Sequence, residues 1–521
     1  MKQNKVRIWT KIGIYLGLFF ILFAVVSYKE AYNLDEIFSY GLSNCICDSG
    51  IQMNIPVDGK YFSPAESVFY DYMTVSAGNT FNYSNVWINQ GKDVHPPFFY
   101  VLVHTISSFF PGVFSKWFVG SIQIVFALLT LWISRKIVRS MGIDERTNLL
   151  FSVLFLFSNG IWSSVAFFRM YMMTMFFVTA TAYILGEIIK SGNIDIKNQI
   201  AIITVVIGGT MTHYYYLIYL FFSCLVMGIF LLAKKKQVIR FVLSIGVAGG
   251  VSCLIFPRMI HHIFAGGRGS ESVDNLMDNS LALYLQRLRE FYSFIDVQLF
   301  GGFLDLIVGL SVLLVLVSII RDNKEINIWN ENTWRWILLV FPNICYFLLV
   351  SKIAVYVTDR YMFPIYSLIL ISVWALFSLL IKKVILNGKT IIVAQTVWVL
   401  IVSIFMVQGG CAYIKIPNTM ENSLANYTND DCIYIHESDW RIQASFNEIR
   451  KYKGVTFFSK DAFMSREEGD ENVVRLVVSV TDEGAREMIF EKVEELYPRL
   501  VHYEKLGTFA YSTSYFFYSD E

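Results

Sequence analysis

Residues 96–110, PPFFYVLVHTISSFF, decide how the rest of this chain is arranged. The stretch is apolar, but it begins with two prolines, contains His104 and is only about 15 residues long. A helix needs roughly 20 apolar residues to cross the hydrocarbon core of a bilayer. Whether residues 96–110 cross therefore fixes the side of the membrane on which every later segment lies.

The composition is that of an integral membrane protein. Of the 521 residues, 55% are hydrophobic and 16% are charged, whereas soluble proteins carry about a quarter charged residues. The apolar residues form uninterrupted blocks rather than amphipathic stripes, which favours membrane-spanning helices. A net charge of +1, with no basic run that resembles a nucleic-acid-binding arm, argues against nucleic acid as a partner.

Apolar blocks other than residues 96–110 predict an all-α polytopic membrane bundle. Basic residues precede the first block and no small-residue cleavage site follows it, so we expect an uncleaved helix rather than a signal peptide. The predicted spans lie near residues 12–27, 117–134, 148–167, 172–189, 199–213, 215–233, 238–257, 298–320, 334–351, 361–381 and 390–408.

The distribution of Lys and Arg predicts that residues 96–110 lie at the outer interface without crossing. In that arrangement the short outer connections hold three Lys and Arg residues, whereas crossing would translocate the basic run 234–236, against the positive-inside rule. We therefore expect 11 crossings, a cytoplasmic N-terminus and an outer C-terminus in a plasma membrane, with a composition that suits a bacterium. The inner segments, which together hold 20 Lys and Arg residues, are 1–11, 135–147, 190–198, 234–240, 321–335 and 382–389.

Two domains are predicted. Residues 1–409 form the membrane domain, with outer loops at 28–116 and 258–297. Residues 410–521 form a small extracytoplasmic α/β domain, large enough to hold its own core. Its predicted strands are 432–436, 455–459, 475–480 and 509–518, and its predicted helices are 440–451 and 484–496.

Two polar clusters receive structural interpretations. Cys45 and Cys47 form a CxC whose spacing predicts no mutual disulfide, and the odd total of seven cysteines argues against a disulfide scaffold. His436 lies in a tail segment rich in acidic residues, which we interpret as a solvated strand end. The tail is expected to cap the bundle or to position an acceptor.

Ionisable and aromatic residues gather at the predicted outer ends of the helices. Each group alone has a structural interpretation: a solvated helix exit, an arginine reaching the headgroups, an aromatic belt or an ion pair. Together they require five coincidences on one face, and ionisable groups beside hydrocarbon are usually functional. The groups are Asp35 and Glu36, Asp93 and His95, Arg169 and Tyr171, His213 to Tyr216, and Asp359 to Tyr361.

This combination suits sugar transfer from a lipid-linked donor. A carboxylate can take the proton of an attacking hydroxyl. Arginines and histidines can hold a phosphate and stabilise the charge that grows on it as it leaves. A lipid phosphate is already a good leaving group and needs no separate acid.

The motifs resemble those of the GT-C membrane glycosyltransferases. An Asp-Glu pair after the first helix (Asp35, Glu36), His-Pro-Pro in the first outer loop (His95) and Arg-x-Tyr after the third helix (Arg169, Tyr171) occur in that order. The nearest families are the protein O-mannosyltransferases and the bacterial lipid A aminoarabinose transferases. The resemblance covers roughly residues 10–380 and leaves the tail outside it.

The resemblance implies roles for the matching residues. Asp35 would activate the acceptor hydroxyl, and Glu36 would support it or contact the acceptor. His95, Arg169 and Arg360 would lie near the donor phosphate. The expected substrate-binding set is completed by Tyr171, His213, Tyr214 and Tyr361. A carboxylate that mannosyltransferases carry beyond the arginine has no counterpart in residues 170–176.

The implied activity is an inverting transfer of a sugar from a polyprenyl-phosphate donor to a hydroxyl of a glycan, lipid or protein. No cofactor is certain, and a divalent metal ion stays open because members of the wider superfamily use one. The alternatives are a transporter or flippase of lipid-linked saccharides, or a ligase that joins them. Helix interiors with almost no charge count against a translocation path.

Overall fold

The computed structural model describes residues 2–47, 50–54, 56–278, 280–321, 330–385, 387–416 and 418–520. Part of the predicted inner segment 321–335 lies outside these ranges. By its contacts the chain divides into two compact units. The first unit comprises residues 1–27, 94–99 and 119–412, and the second comprises residues 28–93, 100–118 and 413–521.

The first unit is a helical bundle. Among the described residues, eight helices are long and apolar enough to cross a membrane, or up to ten if each of two bent pairs is one span. Ile196–Thr210 and Phe98–Ser108 are shorter apolar helices. The prediction of a mostly helical membrane protein is confirmed, while the count of 11 crossings and the sidedness stay predictions.

The remaining helices of the bundle follow the apolar blocks of the sequence. Their bounds are Lys2–Ser27, Lys116–Ser140, Glu145–Leu156, Asn159–Ala166, Tyr171–Ser191, Tyr215–Ala233, Val238–Ile255, Arg258–Phe264, Gly267–Met277, Leu281–Phe300, Leu304–Arg321, Glu331–Ile353, Tyr366–Val384 and Gly388–Gln408.

Two predicted spans are wrong as continuous helices. The span at 148–167 is a pair of helices bent by 50°, which meet at Phe157 and Ser158. The span at 298–320 starts too late, because helix Leu281–Phe300 ends at Gly301 and the chain turns by 80° before the next helix. Most of the predicted outer loop 258–297 is therefore helical.

The second unit contains a six-stranded sheet in the order β1-β3-β2-β4-β6-β5. Strands β2, β3 and β4 are parallel neighbours, and β1, β5 and β6 pair antiparallel. The strands are β1 Tyr61–Phe62, β2 Asp431–His436, β3 Gly454–Ser459, β4 Arg475–Val480, β5 His502–Thr508 and β6 Thr513–Tyr518.

Helices cover both faces of this sheet. Ile489 of helix Arg486–Leu496 packs in one core with Ile433 and Val478. On the other face, the Tyr434 hydroxyl lies 2.6 Å from Ser445 Oγ, between two short helices. The other helices of the unit are Leu34–Asn44, Tyr70–Met73, Tyr83–Lys92, Phe98–Ser108, Asn418–Leu424, Trp440–Ala444, Phe446–Ile449 and Lys460–Met464.

Three features of the second unit differ from the sequence predictions. Strand β1 comes from the first loop. The strand predicted at 509–518 begins only at Thr513, as β6, and β5 is absent from the sequence predictions. Cys45 and Cys47 form a disulfide, so the prediction of none is wrong. The two Cα atoms lie 5.5 Å apart, directly after the helix end at Asn44, which is within reach of a disulfide. The domain boundary at residue 409 stays a prediction.

Candidate active site

The centre of the candidate site is His213, in the connection between helices Ile196–Thr210 and Tyr215–Ala233. The chain turns tightly there because the His213 N–H donates to the Gly209 carbonyl and the Tyr216 N–H donates to the His213 carbonyl. The His213 side chain is 5% exposed. Burial, reinforced by the positive charges of His95, Arg169 and Arg360, holds the pKa of His213 well below its ordinary value.

A neutral His213 presents a hydrogen-bond donor. Its Nδ1 accepts from the backbone N–H of Tyr215 at 3.0 Å. The single proton of a neutral imidazole must then be on Nε2. Within the described part of the chain, Nε2 is buried and has no hydrogen-bond partner. Leaving such a donor unsatisfied costs about 1–3 kcal/mol, which favours an oxygen ligand at this position.

His95 and Arg169 are neighbours of His213. The rings of His95 and His213 are 5.7 Å apart. Arg169 Nη2 lies 3.3 Å from Nε2 and 3.4 Å from Nδ1 of His95. The His95 segment is held in place because the Phe98 N–H donates to the Met211 carbonyl at 3.0 Å.

The position of Arg169 is set by a buried amide. Gln123 Nε2 donates to the carbonyls of Arg169 and Phe167, at 2.5 and 3.3 Å. Arg169 itself is 4% exposed. A guanidinium at this depth is a strong, preorganised donor for a phosphate or carboxylate.

Arg360 and a group of aromatic rings complete the cluster. The Arg360 guanidinium carbon lies 5.5 Å from the ring centre of Phe167 and 5.6 Å from that of Tyr361. The Tyr171 ring is 5.0 Å from His213 and 6.4 Å from Tyr361. We call His95, Arg169, His213 and Arg360 the basic cluster.

Sequence reasoning missed two supporting residues, Gln298 and Tyr346, and gave Tyr215 no role of its own. The Tyr215 ring lies 5.2 Å from Tyr361, and the Tyr346 hydroxyl donates to the Tyr361 carbonyl at 2.7 Å. Gln298 Nε2 donates to Asp359 Oδ2 at 2.6 Å and thereby fixes the segment of Arg360. Tyr215 belongs to the predicted group 213–216, whereas Gln298 and Tyr346 carry no signal in the sequence.

Tyr214, a member of the predicted set, contacts a different helix from the others. Its hydroxyl lies 3.0 Å from His262 Nδ1, on helix Arg258–Phe264. This contact joins the connection that carries His213 to a helix in the region predicted as an outer loop.

Asp35 and Glu36 belong to the second unit and begin helix Leu34–Asn44. Asp35 is half-buried, in the first turn. Glu36 is fully buried, forms an ion pair with Lys29 at 2.8 Å, and accepts from the Asn33 N–H at 2.7 Å. Of the two roles implied for Glu36, these contacts favour support of the helix that carries Asp35 over direct contact with an acceptor.

A metal site is not formed by the residues that the structure describes. Among them, no three His, Cys, Asp or Glu side chains are grouped so that they could hold a metal ion.

Comparisons with known proteins find similarity in structure only. No family model matches the chain, and no curated protein sequence matches it. The chain is similar to ArnT from Cupriavidus metallidurans bound to undecaprenyl phosphate, with 11% identity and a TM-score of 0.48 over 95% of this chain and 97% of that one. It is also similar to the archaeal oligosaccharyltransferase AglB from Archaeoglobus fulgidus, with 10% identity and a TM-score of 0.46 over 94% and 72% of the two chains.

Both likenesses extend over more than nine-tenths of this chain. Identities near 10% and TM-scores below 0.5 carry no residue, donor or acceptor over to this protein. Its function has to be argued from its own side chains.

Proposed function

We propose that this protein is a membrane glycosyltransferase that takes a sugar from a polyprenyl-phosphate donor on the extracytoplasmic face. The single observation that carries the proposal is the basic cluster, in which the buried Nε2–H of His213 lies among two guanidinium groups and a second imidazole. Four donors of this kind suit an anion with several oxygens, and a phosphate is such an anion.

The reaction is a single inverting displacement. The acceptor oxygen forms a bond to the anomeric carbon, and the bond between that carbon and the phosphate oxygen breaks. Asp35 takes the proton of the acceptor hydroxyl. The electron pair of the broken bond stays on the polyprenyl phosphate, whose added charge Arg169, Arg360, His95 and His213 stabilise.

The donor is a lipid of the membrane. The Cys45–Cys47 disulfide supports the proposal that the first loop lies on the extracytoplasmic side. Disulfides form and persist in oxidising compartments, and this one belongs to the loop that is expected outside. Binding partners are then the lipid bilayer, a polyprenyl-phosphate sugar, and a glycan, lipid or protein acceptor.

The test uses full-length protein in lipid nanodiscs with a set of radiolabelled polyprenyl-phosphate sugars. We expect one label to be discharged, and we expect Asp35→Asn to abolish discharge while the labelled donor still binds. Asp71→Asn is the matched control, because Asp71 also lies in the first turn of a helix of the same unit. Normal discharge by Asp35→Asn rejects the base, and transfer of intact donor between leaflets without discharge favours a transporter.

A further inference from the structure

The topology of the tail sheet favours a crevice at the carboxyl ends of its parallel strands. β2 pairs in parallel with β3 on one side and with β4 on the other. The helix after β2 covers one face of the sheet, where Ser445 meets Tyr434, and the helix after β4 covers the opposite face. The segments that follow β2 and β4 therefore leave the sheet toward opposite faces. Open α/β sheets bind ligands at such a point.

His436, the last residue of β2, lies at this edge of the sheet. It is 3% exposed, and within the described residues neither ring nitrogen has a hydrogen-bond partner. Its Nδ1 lies 3.8 Å from Asp439 Oδ1, so the ring points toward the loop that leaves the strand. Buried polar atoms are nearly always hydrogen-bonded, and two unsatisfied ring nitrogens indicate a polar ligand.

Charged side chains from three strand ends line the crevice. Lys460, after β3, lies 3.1 Å from Asp482 Oδ2, after β4, and 3.6 Å from Glu437 Oε1, after β2. The loops are tied together because the Glu437 N–H donates to Thr481 Oγ1 at 3.2 Å and Arg441 donates to the Thr481 carbonyl.

The charge of this lining selects the class of ligand. Glu437, Asp439 and Asp482 outnumber the cations Lys460 and Arg441, so an anion such as phosphate is disfavoured. Among the described residues of this edge, no three His, Cys, Asp or Glu side chains are grouped so that they could hold a metal ion. The excess of carboxylates favours a neutral or cationic ligand that is rich in hydroxyl groups.

An aromatic surface stands beside these groups. Trp440, next to Asp439, is 37% exposed and packs edge-to-face on Tyr511 at 5.3 Å. An indole of this kind is a flat apolar surface with a polar edge. The apolar face of a pyranose ring can stack on it while the hydroxyls of the sugar reach carboxylates alongside.

We infer that the tail carries a saccharide-binding site at the carboxyl edge of β2, β3 and β4. Trp440 stacks on the sugar ring, Glu437 and Asp439 accept from its hydroxyls, and the His436 ring donates to one oxygen and accepts from another. The site is formed by the second unit alone and goes beyond the proposed transfer reaction. It needs no turnover to be observed.

The experiment is saturation-transfer difference NMR on the full-length protein in nanodiscs. The probes are the methyl glycosides of glucose, galactose, mannose and N-acetylglucosamine, together with glucosamine. We expect at least one to bind, and we expect Trp440→Ala and Glu437→Gln each to weaken it at least roughly tenfold, or about 1.4 kcal/mol. Trp440→Phe, which keeps an aromatic face, should retain most of the affinity.

Two control variants distinguish the proposed saccharide site from the rest of the tail surface and from the basic cluster. Glu494→Gln removes an exposed carboxylate from helix Arg486–Leu496 and should leave binding unchanged. Arg169→Ala should also leave it unchanged, so a failed transfer proposal does not affect the result. Unaltered hydrogen exchange in β2 and β4 of Trp440→Ala shows that the sheet is intact. Lack of binding by every probe, or binding by Trp440→Ala equal to wild type, overturns the inference.

Discussion

At the scale of single residues, the tautomer of His213 decides what the basic cluster can bind. Because the Tyr215 N–H occupies Nδ1, a neutral ring has only a donor left to offer. Arg169 and Arg360 are donors as well. The cluster is therefore built to surround acceptor oxygens, and each member can be tested by removing or preserving a donor.

His213→Phe should weaken binding of polyprenyl phosphate in nanodiscs. The variant keeps a ring of similar size but loses one hydrogen bond to a charged group, which is worth about 1.5–3 kcal/mol. We expect a dissociation constant roughly ten to 150 times higher by equilibrium binding of radiolabelled lipid. His213→Gln, which retains an N–H donor, should lose less. Equal affinity of all three proteins would contradict the donor role.

The depressed pKa of His213 gives a stability prediction with a definite sign. When the folded pKa of a histidine lies below its unfolded value, its contribution to stability is complete above the unfolded value and is lost as the pH falls through it. Wild-type protein without donor should therefore lose more thermal stability than His213→Gln between about pH 7.5 and about pH 5.5. Scanning fluorimetry in detergent measures the difference. Equal losses of thermal stability in the wild type and in His213→Gln would refute this prediction.

At the scale of elements, the start of helix Leu34–Asn44 depends on a buried ion pair. Lys29 and Glu36 are 2.8 Å apart with both side chains fully buried, and Glu36 also caps the helix by accepting from the Asn33 N–H. The position of Asp35 in the first turn therefore depends on Glu36. A buried charge that loses its partner destabilises a protein more than the loss of both charges does.

Lys29→Met should loosen this helix start by about 3–5 kcal/mol, because Glu36 then stays buried without its ion-pair partner. Adding Glu36→Gln should recover part of the loss. Hydrogen-exchange mass spectrometry of residues 34–44 reports the change directly. The idea fails if the double variant exchanges faster than Lys29→Met alone.

The turn after helix Leu281–Phe300 depends on a glycine. Gly301 has φ 63°, and a Cβ there would lie 2.5 Å from Phe405 Cβ and 2.7 Å from the Phe405 carbonyl carbon. Gly302 also has a positive φ, of 87°, but open space around its Cβ position.

Gly301→Ala should therefore lower the melting temperature more than Gly302→Ala. Both substitutions pay about 1–2 kcal/mol for the left-handed backbone, but only the first adds a collision with helix Gly388–Gln408. Scanning fluorimetry of the two variants side by side gives the comparison. Equal shifts would show that the packing against Phe405 relaxes without penalty.

The sequence patterns predicted where the helices lie better than where those helices break. Apolar runs located the helices of the bundle because long apolar blocks have few other uses. The apolar blocks also hid the breaks at Phe157 and at Gly301, because the sequence stays largely apolar there while the backbone turns. The members of the basic cluster were identifiable because each is an ionisable group at the end of an apolar run. Strand β1 depends on tertiary contacts that no local pattern contains, and the disulfide depends on the backbone conformation of residues 45–47.

At the scale of the whole molecule, the first loop and the tail form one compact unit. Tyr61 and Phe62 pair with β3, the Tyr61 hydroxyl donates to Asp431 at 2.8 Å, and the Ser459 N–H donates to Asp58. The loop thus supplies an edge strand and hydrogen bonds to the sheet. An exposed edge strand is prone to pair with other chains.

An isolated fragment of residues 413–521 should consequently associate more than a version that carries residues 56–64 as a fused or added segment. We expect the bare fragment to elute from size-exclusion chromatography as oligomers and the supplemented fragment to shift toward monomer. Asp58→Ala within the added segment should reduce the shift. A monomeric bare fragment of equal stability would contradict the edge-strand role.

The pairing of β1 with β3 also has a consequence for how the protein is made. Ser63 and Lys453, which are hydrogen-bonded beside this pairing, are 390 positions apart in the chain. The ribosome releases the early partner long before the late one, with most of the bundle synthesised in between. Nascent chains arrested after the bundle should therefore remain sensitive to protease within the first loop, and full-length chains should become resistant only when translation terminates.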